Sequence, residues 1–448
     1  MNGDPTRPAA GTEPAKSGLR PGDVVELAIE KAVYRGQGLG RHEGQVVFVP
    51  RAVPGDRVRV RIEAATAGYV RGRIEHMVGQ ASGRRPAPCP LFDRCGGCAY
   101  QGYDYASQLA LKEAVLRETL ARGRVEWADP IVVHPSPEVG WRMRASLHVH
   151  SGEDGLRLGL HEEGSHRVTD LDNCLQLSPA MNGAQRALAK AMGRRPDWAR
   201  HVQDVDLAEA PDGGQLVASL ETDLEPPAAA ALAGLADDVP ALTGLGVMAG
   251  SGRGRRFMPL RGEPWIDATV QGVRLRAHVR SFFQGNRFLL DDLVAAVTGL
   301  TPAGGPVLDL YAGVGLFALP LAARAERVRG IEIDAGAVGD AQRNVERSGL
   351  GNVRIERGEV AAALRGMEAG VDERVILDPP RAGAGAEVVR AIAQRRPLSI
   401  VYVSCDPSTL ARDLKGFAAE GYVPAAVELF DLFPDTFHLE TVVALRRD

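Results

Sequence analysis

Residues 22–78 alternate apolar and polar positions over several short runs. DVVELAIEKAV, GQVVFVP, DRVRVRIEAA and GYVRGRIEHM each show a two-residue period, and Gly or Pro residues separate them. Successive side chains of a β-strand point to opposite faces, so this period indicates strands that bury one face. The pattern predicts a small β-barrel over residues 21–80.

From about residue 280, strand-like runs alternate with helical ones. Each of the strand-like runs GPVLDLYAG, VRGIEID, NVRIERG, RVILDPP and SIVYVSCD is followed by a segment with helical spacing. This alternation is typical of an α/β fold with a parallel sheet covered on both faces. The last segment, AAVELFDLFPDTFHLETVVALRR, predicts two antiparallel strands.

The region between these two parts is mixed. YASQLALKEAVLRETLARG has helical spacing, ASLHVHSG and LRLGLHE are strand-like, and an Ala-rich helix is predicted near 179–193. The N-terminal residues are rich in Pro, Gly and Ala, which predicts a disordered tail. We therefore expect a tail at 1–20, a barrel at 21–80, a central α+β domain at 81–270 and an α/β domain at 271–448.

The composition is that of a globular protein. The chain has 448 residues, of which 45% are hydrophobic and 25% charged. It contains no apolar run of the roughly 18 residues that cross a membrane, and its first residues lack the apolar core of a secretory signal. We expect a cytoplasmic protein with reduced thiols, no membrane association and no obligate protein partner.

The net charge of −4 conceals a basic segment near the N-terminus. Between Lys31 and Arg85 there are eleven Lys and Arg residues and four acidic residues, an excess of +7. Such a surface attracts the phosphate backbone of a nucleic acid. The alternative is an ordinary solvated strand face.

A cofactor site is predicted where strands of the α/β domain end. Gly313 and Gly315 lie between a strand and a helix, where glycine allows a tight turn and close approach of a ligand. About twenty residues later Glu332 ends the next strand, where a carboxylate can accept hydrogen bonds from ribose hydroxyls, and Asp378 ends another. The glycine spacing differs from G-x-G-x-x-G, which disfavours a dinucleotide.

Cys405 follows a strand of the same sheet and precedes a helix. A helix N-terminus stabilises a thiolate, so we expect a lowered pKa and a nucleophile rather than a buried filler. A thiolate that adds to carbon 6 of a pyrimidine makes carbon 5 nucleophilic enough to attack a methyl sulfonium. A base must then remove the carbon 5 proton, and Glu440 is the candidate, although it could also be a surface acid.

The other four cysteines suggest a metal site. Cys89, Cys95 and Cys98 form a C-x5-C-x2-C group, and Cys174 is the fourth thiol. Four thiolates can hold zinc or an iron–sulfur cluster, and the three-plus-one spacing favours iron–sulfur. Four unligated thiols are the remaining alternative.

Four segments of the sequence resemble the RNA uracil-C5 methyltransferase family. These are RSFFQGNR, ILDPPRAG, YVSCDPSTLARDL and FPDTFHLETVVAL, and residues 22–78 resemble a TRAM domain, an OB-like RNA-binding barrel. The resemblance implies a Rossmann-like class I S-adenosylmethionine-dependent methyltransferase domain, with Cys405 as nucleophile and Glu440 as base. It implies S-adenosylmethionine contacts from Gln284, Tyr311, Glu332 and Asp378, and a [4Fe-4S] cluster on the four cysteines.

The expected activity is methylation of carbon 5 of a uridine in RNA after extrusion of the base. In this family, a barrel together with a cluster favours 23S rRNA over tRNA. The alternatives are a tRNA enzyme and a non-catalytic RNA-binding protein with a redox-sensitive cluster. An amino-group methyltransferase for adenine fits less well, because DPPRAG places Arg381 where an aromatic residue would be needed. The family commonly has Asn where this chain has Asp406, whose charge would oppose thiolate formation unless it is turned away.

Overall fold

The computed structural model describes residues 18–66, 68–153 and 155–448, so residues 1–17 of the predicted tail lie outside it. The chain divides into two compact units. The first contains residues up to Pro88 together with Cys98–Leu111 and Asp435–Phe437, and the second contains Cys89–Gly97, Lys112–Pro434 and His438–Asp448.

The first unit contains a closed barrel with strand order β1-β2-β3-β5-β4. Its strands are β1 (Val24–Val33), β2 (Gln37–His42), β3 (Gln45–Pro50), β4 (Arg57–Ala65) and β5 (Val70–Gly79). The alternation read from the sequence is visible in β4, where Val58, Val60 and Ile62 are buried and the arginines between them are exposed. The predicted barrel is confirmed. Helix α1 (Tyr105–Arg122) has residues in both units.

The second unit contains a seven-stranded sheet with the order β13-β12-β11-β10-β7-β8-β9. All pairs are antiparallel except β11 and β12. The strands are β7 (Arg144–Gly152), β8 (Gly155–His161), β9 (Val168–Asp170), β10 (Val202–Glu209), β11 (Leu216–Thr222), β12 (Gly244–Ala249) and β13 (Arg256–Gly262). The helices of this region are α2 (Pro179–Gly193), α3 (Pro196–Ala199), α4 (Pro226–Ala229) and α5 (Leu235–Asp238), with 3-10 turns at Ala230–Gly234 and Gly252–Gly254.

Helix α2 confirms the Ala-rich helix predicted near 179–193. The Ser178 hydroxyl accepts from the Met181 N–H at 3.0 Å and caps its N-terminus. Met181, Ala184 and Leu188 are spaced three and four residues apart and are all buried, as expected for one apolar helix face.

The second sheet of this unit has eight strands in the order β18-β17-β16-β19-β20-β22-β21-β6. Strands β16 to β20 are parallel, and β22 runs antiparallel to β20 and β21. The strands are β6 (Val132–His134), β16 (Pro306–Leu310), β17 (Arg327–Glu332), β18 (Val353–Arg357), β19 (Arg374–Leu377), β20 (Ser399–Ser404), β21 (Tyr422–Phe430) and β22 (Glu440–Arg447).

Helices alternate with these strands, and a hairpin precedes them. The helices are α6 (Leu290–Leu300), α7 (Ala318–Leu321), α8 (Ala335–Ser348), α9 (Val360–Gly366), α10 (Gly385–Gln394) and α11 (Pro407–Ala419), and the hairpin is β14 (Trp265–Val270) with β15 (Val273–His278). The predicted α/β pattern and the terminal antiparallel pair are confirmed. Among the helices of the described residues, none is both long and apolar enough to cross a membrane.

Candidate active site

The predicted site residues of the α/β region come together at one edge of the eight-stranded sheet. Leu310 is paired with Ile331 of β17 and Leu377 of β19, and Leu377 is paired with Tyr402 of β20. The carboxyl ends of these parallel strands therefore lie side by side. This register brings the turns that follow them, with Gly313, Asp378 and Cys405, to the same edge.

Glu440 reaches this edge from the opposite chain direction. Strand β22 is antiparallel to β20, and Ser404 is paired with Thr441. The next residue outward on β20 is Cys405, and on β22 it is Glu440. The structure thus places the predicted nucleophile and base opposite each other on adjacent strands, and Glu440 is only 2% exposed.

A pocket opens beside these residues, and four of the predicted cofactor residues line it. The lining is Phe282, Phe283, Gln284, Tyr311, Ala312, Gly313, Val314, Leu316, Phe317 and Asp378. The Gln284 Nε2 donates to the Asp378 Oδ2 at 3.4 Å, and the backbone of the next residue is fixed because the Met143 N–H donates to the Gly285 carbonyl at 2.8 Å.

The turn after β16 takes the shape that its glycines allow. Gly313 and Gly315 have φ values of +53° and +89°, in the region that glycine adopts without steric cost. A Cβ on Gly313 would have no heavy atom within 4 Å, so this position leaves room for a ligand. Tyr311, the first residue of the turn, also has a positive φ of +64°.

The Glu332 carboxylate ties this turn to the end of β17. Its Oε2 accepts a hydrogen bond from the Gly313 N–H at 3.0 Å, and Oε1 accepts from Ile333 at 2.7 Å and Asp334 at 2.8 Å. These donors leave acceptor capacity on a carboxylate that has about four lone-pair positions. An open glycine position, a fixed carboxylate and an aromatic and amide lining fit an adenosine-containing ligand such as S-adenosylmethionine.

The prediction of a lowered pKa for Cys405 is wrong. Burial raises the pKa of this thiol from 9.0 to about 12, and the nearby carboxylates of Glu440 and Asp378 contribute in the same direction. The positive charge of Arg381 opposes the shift but does not cancel it. Desolvation and two carboxylates therefore outweigh the helix N-terminus, which acts only through partial charges.

The side chain of Asp406 caps helix α11. Its Oδ1 accepts hydrogen bonds from the Ser408 N–H at 2.9 Å and the Thr409 N–H at 3.2 Å. Its charge is the smallest contribution to the raised pKa of Cys405. The carboxylate is therefore engaged by the helix, and this departure from the family pattern has a structural use.

The two acids at the site hold their protons more tightly than usual. Burial raises the pKa of Asp378 to about 7. Burial, and then the charge of Asp378, raise the pKa of Glu440 well above 4.5, while Arg381 lowers it. Raised pKa values from burial are characteristic of functional carboxylates, although structural acids show them too.

Sequence reasoning missed three residues of this site. In the sequence, Arg381 was noted only because it stands where an adenine methyltransferase would need an aromatic residue. In the structure its positive charge lowers the pKa of both Cys405 and Glu440. His438 lies with both ring nitrogens 3.5 Å from the Arg381 guanidinium, and its pKa is lowered to about 3 by burial and then by nearby cations. Asp309 is fully buried, and burial followed by the charge of Asp378 raises its pKa to about 8. The sequence offered one indication of Asp309, namely an acidic residue inside the otherwise apolar run VLDL.

The predicted iron–sulfur cluster is not supported by the arrangement of side chains. Among residues 18–66, 68–153 and 155–448, no group of three or more His, Cys, Asp or Glu side chains is placed to hold a metal ion. Cys89, Cys95 and Cys174 belong to the second unit and Cys98 to the first. Cys89 contributes to the raised pKa of Cys174, whose main cause is burial.

The basic segment of the barrel is partly neutralised. Arg57 pairs with Glu26 at 2.8 Å and Arg73 with Glu63 at 3.2 Å. Arg41, Arg61 and Arg84 also form ion pairs, with Glu30, Glu75 and Asp56. Two of these acids, Glu26 and Glu30, lie on β1 before the counted segment, so the excess of +7 overstates the charge that the surface offers.

The sequence was compared with known families and proteins. Residues 104–448 match the family model described as tRNA (uracil-5-)-methyltransferase, and residues 18–74 match the TRAM domain. The chain belongs to the RNA uracil-5-methyltransferase family.

Individual relatives extend the match over nearly the whole chain. An uncharacterized RNA methyltransferase of Thermosynechococcus vestitus is 32% identical over 443 residues, which are 95% of this chain and 98% of the relative. Another, from Gloeobacter violaceus, is 33% identical over 474 residues and covers 100% of both proteins.

The crystal structure of the Pyrococcus abyssi tRNA (uracil-54, C5)-methyltransferase in complex with S-adenosyl-L-homocysteine is similar to this uracil-5-methyltransferase. The TM-score is 0.73 with 25% identity, and the match covers 94% of this chain and 100% of that one. The predicted fold class, enzyme class and methyl donor, S-adenosylmethionine, are thus supported, and the TRAM match supports RNA binding.

Proposed function

We propose that this uracil-5-methyltransferase methylates carbon 5 of a uridine in RNA through a covalent bond between Cys405 and carbon 6. The observation that carries the proposal is the placement of Cys405 and Glu440 opposite each other on β20 and β22, at the edge that also holds the pocket. A methyltransferase acting on a heteroatom would have no use for this pair.

Each of the predicted site residues has its own role in the reaction. The Cys405 thiolate adds to carbon 6 of the uracil, which places electron density on carbon 5. Gln284, Tyr311, Gly313, Gly315, Glu332 and Asp378 would hold S-adenosylmethionine, which would supply the methyl group that carbon 5 attacks and would leave as S-adenosylhomocysteine. Glu440 then takes the proton from carbon 5, the bond between carbon 6 and sulfur breaks, and the thiolate is restored.

The charges of Cys405 and Glu440 influence each other, and this sets the order in which the two side chains ionise. The Glu440 carboxylate opposes ionisation of Cys405, and the coupling between two titrating groups is reciprocal. The thiolate therefore forms most easily while Glu440 is protonated. Once sulfur is bonded to carbon 6 it carries no charge, so Glu440 can release its own proton to solvent and is a carboxylate when the carbon 5 proton must leave.

An RNA containing 5-fluorouridine tests the mechanism. Fluorine cannot leave carbon 5 as a proton, so after methyl transfer the adduct should persist and resist denaturation. We expect the wild-type enzyme with radiolabelled S-adenosylmethionine to give a labelled protein–RNA adduct, and Cys405→Ala to give none. Methylation without an adduct in the wild type would contradict the proposal.

Ordinary uridine tests the base. Glu440→Gln cannot accept the carbon 5 proton, so the methylated adduct should accumulate without fluorine. The matched control is Glu428→Gln on the neighbouring strand β21. The Glu428 side chain pairs with His134 and lies outside the site. The Glu428→Gln control should methylate and release RNA like the wild type. If Glu440→Gln releases methylated RNA at the same rate as this control, Glu440 is not the base.

We propose 23S rRNA as the substrate, with tRNA as the second candidate. The barrel together with the cysteine motif supports rRNA. The tRNA alternative is favoured by the Pyrococcus abyssi protein, a tRNA enzyme whose match covers 94% of this chain. Unmodified 23S rRNA and tRNA transcripts assayed side by side distinguish the two, and mapping 5-methyluridine in the preferred RNA identifies the position.

We also propose that Cys89, Cys95, Cys98 and Cys174 bind a [4Fe-4S] cluster. Besides the motif, two sulfurs accept N–H hydrogen bonds within their own units, Cys95 from Gly97 at 3.4 Å and Cys98 from Gln101 at 3.3 Å. Hydrogen bonds to the sulfurs are one of the features that set the reduction potential of an iron–sulfur cluster. Iron and sulfide analysis of anaerobically purified protein should find four of each per chain, as for any [4Fe-4S] cluster; zinc, or no metal, would exclude the cluster.

The domain limits of 21–80, 81–270 and 271–448 also remain a proposal. One hydrophobic cluster of the second unit combines Met143 and Ala208 with Leu293 and Val401. We therefore expect 81–270 and 271–448 to unfold together, which limited proteolysis of the full chain can test.

A further inference from the structure

The segment that leads into the catalytic base is built into the same compact unit as the barrel. Asp435–Phe437 groups with the barrel residues and with Cys98–Leu111. Glu440 follows Phe437 by three residues in the chain. Whatever fixes this segment therefore limits the conformations open to Glu440.

Asp435 is the centre of this attachment. Its carbonyl accepts hydrogen bonds from the Ala99 and Tyr100 N–H groups, both at 2.8 Å. The Gln108 side chain makes two more: its Nε2 donates to the Asp435 Oδ1 at 3.0 Å, and its Oε1 accepts from the Asp435 N–H at 3.1 Å. Gln108 and Asp435 are 0% and 3% exposed.

The backbone of Asp435 is strained. Its φ is +66°, a conformation that non-glycine residues adopt at a cost and keep only when the surroundings enforce it. Four hydrogen bonds hold Asp435 in this conformation, and the Arg85 guanidinium lies 3.8 Å from its Oδ1. Residues held in sparsely populated conformations by their surroundings cluster at functional sites, and Asp435 precedes Glu440 by five residues.

The barrel adds a second contact to the same segment. The turn between β1 and β2 contains Tyr34, whose ring meets the Phe437 ring edge-on at 5.9 Å. Gly36, in the same turn, is so close that a Cβ would lie 2.9 Å from the Ala99 Cβ and 3.2 Å from the Phe437 Cβ. The barrel turn therefore packs directly on the segment before the base.

We propose that the barrel and Gln108 act as a positioning device for Glu440, through Asp435 and Phe437. This inference rests on the proposed function, in which Glu440 acts only after methyl transfer. The barrel then has a role besides holding RNA: it fixes the segment from which the base reaches carbon 5. Loosening the segment should slow proton removal and leave adduct formation intact.

Gln108→Ala tests the inference on an RNA with ordinary uridine. We expect kcat to fall about 10- to 100-fold, the loss that a misplacement of about 1 Å causes. The KM values for RNA and S-adenosylmethionine should fall in about the same proportion, so that kcat/KM stays within about twofold, because the slowed step follows irreversible methyl transfer. Labelled methylated adduct should accumulate, as in Glu440→Gln.

Three further variants complete the design. Asp435→Asn keeps the side-chain oxygen and tolerates a positive φ, so it should release product at nearly the wild-type rate. Tyr34→Ala should accumulate adduct like Gln108→Ala. If circular dichroism shows that Gln108→Ala is unfolded, Tyr34→Ala tests the positioning role in its place. Arg59→Ala, on the exposed face of β4, should raise the KM for RNA without accumulating adduct.

Two results would overturn the inference. One is slow turnover of the folded Gln108→Ala or Tyr34→Ala variants with no adduct; the other is a change in the KM for RNA alone, as in Arg59→Ala. Failure of the proposed function looks different, since the wild type itself would then form no adduct with 5-fluorouridine.

Discussion

Alkylation of Cys405 should be slow in the free enzyme at neutral pH and should keep accelerating as the pH rises. Only the thiolate reacts at a useful rate. The pKa of this thiol is raised from 9.0 to about 12. A difference of about three pH units lowers the thiolate fraction at neutral pH about a thousandfold relative to an unperturbed thiol.

Substitutions should move the alkylation profile in directions set by the charges around the sulfur. Glu440→Gln removes the largest of three carboxylate contributions and should lower the pKa of Cys405. Asp406→Asn should lower it less, because Asp406 contributes least. Arg381→Ala removes the cation that favours the thiolate and should raise it.

The assay follows incorporation of iodoacetamide into the Cys405 peptide by mass spectrometry between about pH 7 and pH 10. We expect the rate to rise about tenfold per pH unit without levelling off, since the pKa lies above this range. The urea-unfolded protein is the comparison and should level off near pH 9. A plateau below pH 10 in the folded enzyme, or no shift in Glu440→Gln, would refute the reasoning.

Substitutions at Lys112, Asp406 and Asp309 test the structure through stability. Lys112→Met leaves the buried Asp431 carboxylate without the ammonium that lies 2.6 Å away, and should cost about 3–5 kcal/mol in urea unfolding; a loss below about 1 kcal/mol would contradict a buried ion pair. Asp406→Ala removes the cap of α11 and should cost about 1 kcal/mol, while Asp406→Asn should cost little. Asp309 has a folded pKa of about 8 and an unfolded value near 3.8, so its contribution to stability should fall as the pH rises from about 4 to 8. Asp309→Asn should lack this fall and gain stability over the wild type across that window; parallel pH profiles would show that Asp309 is not buried as a neutral acid.

Local patterns carried most of the fold prediction. The two-residue period of β4 and the alternation of strands and helices after residue 280 follow from which faces must be buried, and the structure confirms both. Strand β6 was not predicted, because three residues are too few to show a period. It is a strand only because the edge of β21 offers it hydrogen-bonding partners.

The electrostatics were less predictable than the positions. The helix start after Cys405 is readable in the sequence, but the burial of the thiol and the proximity of Glu440, 35 residues later, are not. The excess charge of the barrel was likewise counted from one segment. Glu30 pairs with Arg41 within the hairpin of β1 and β2, whereas Glu26 comes close to Arg57 only because β1 also pairs with β4 in the barrel.

The sequence by itself determined the family, the order of strands and helices, and the residue types that can perform uracil methylation, because these depend on local pattern and on motifs. The tertiary structure decided which of these residues meet, in what protonation state, and what holds them. The pairing of Ser404 with Thr441 sets Cys405 against Glu440, burial keeps the thiol protonated, and Gln108 fixes a strained Asp435 327 residues away. These properties arise from contacts between distant parts of the chain and from exclusion of water, neither of which has a local sequence signature.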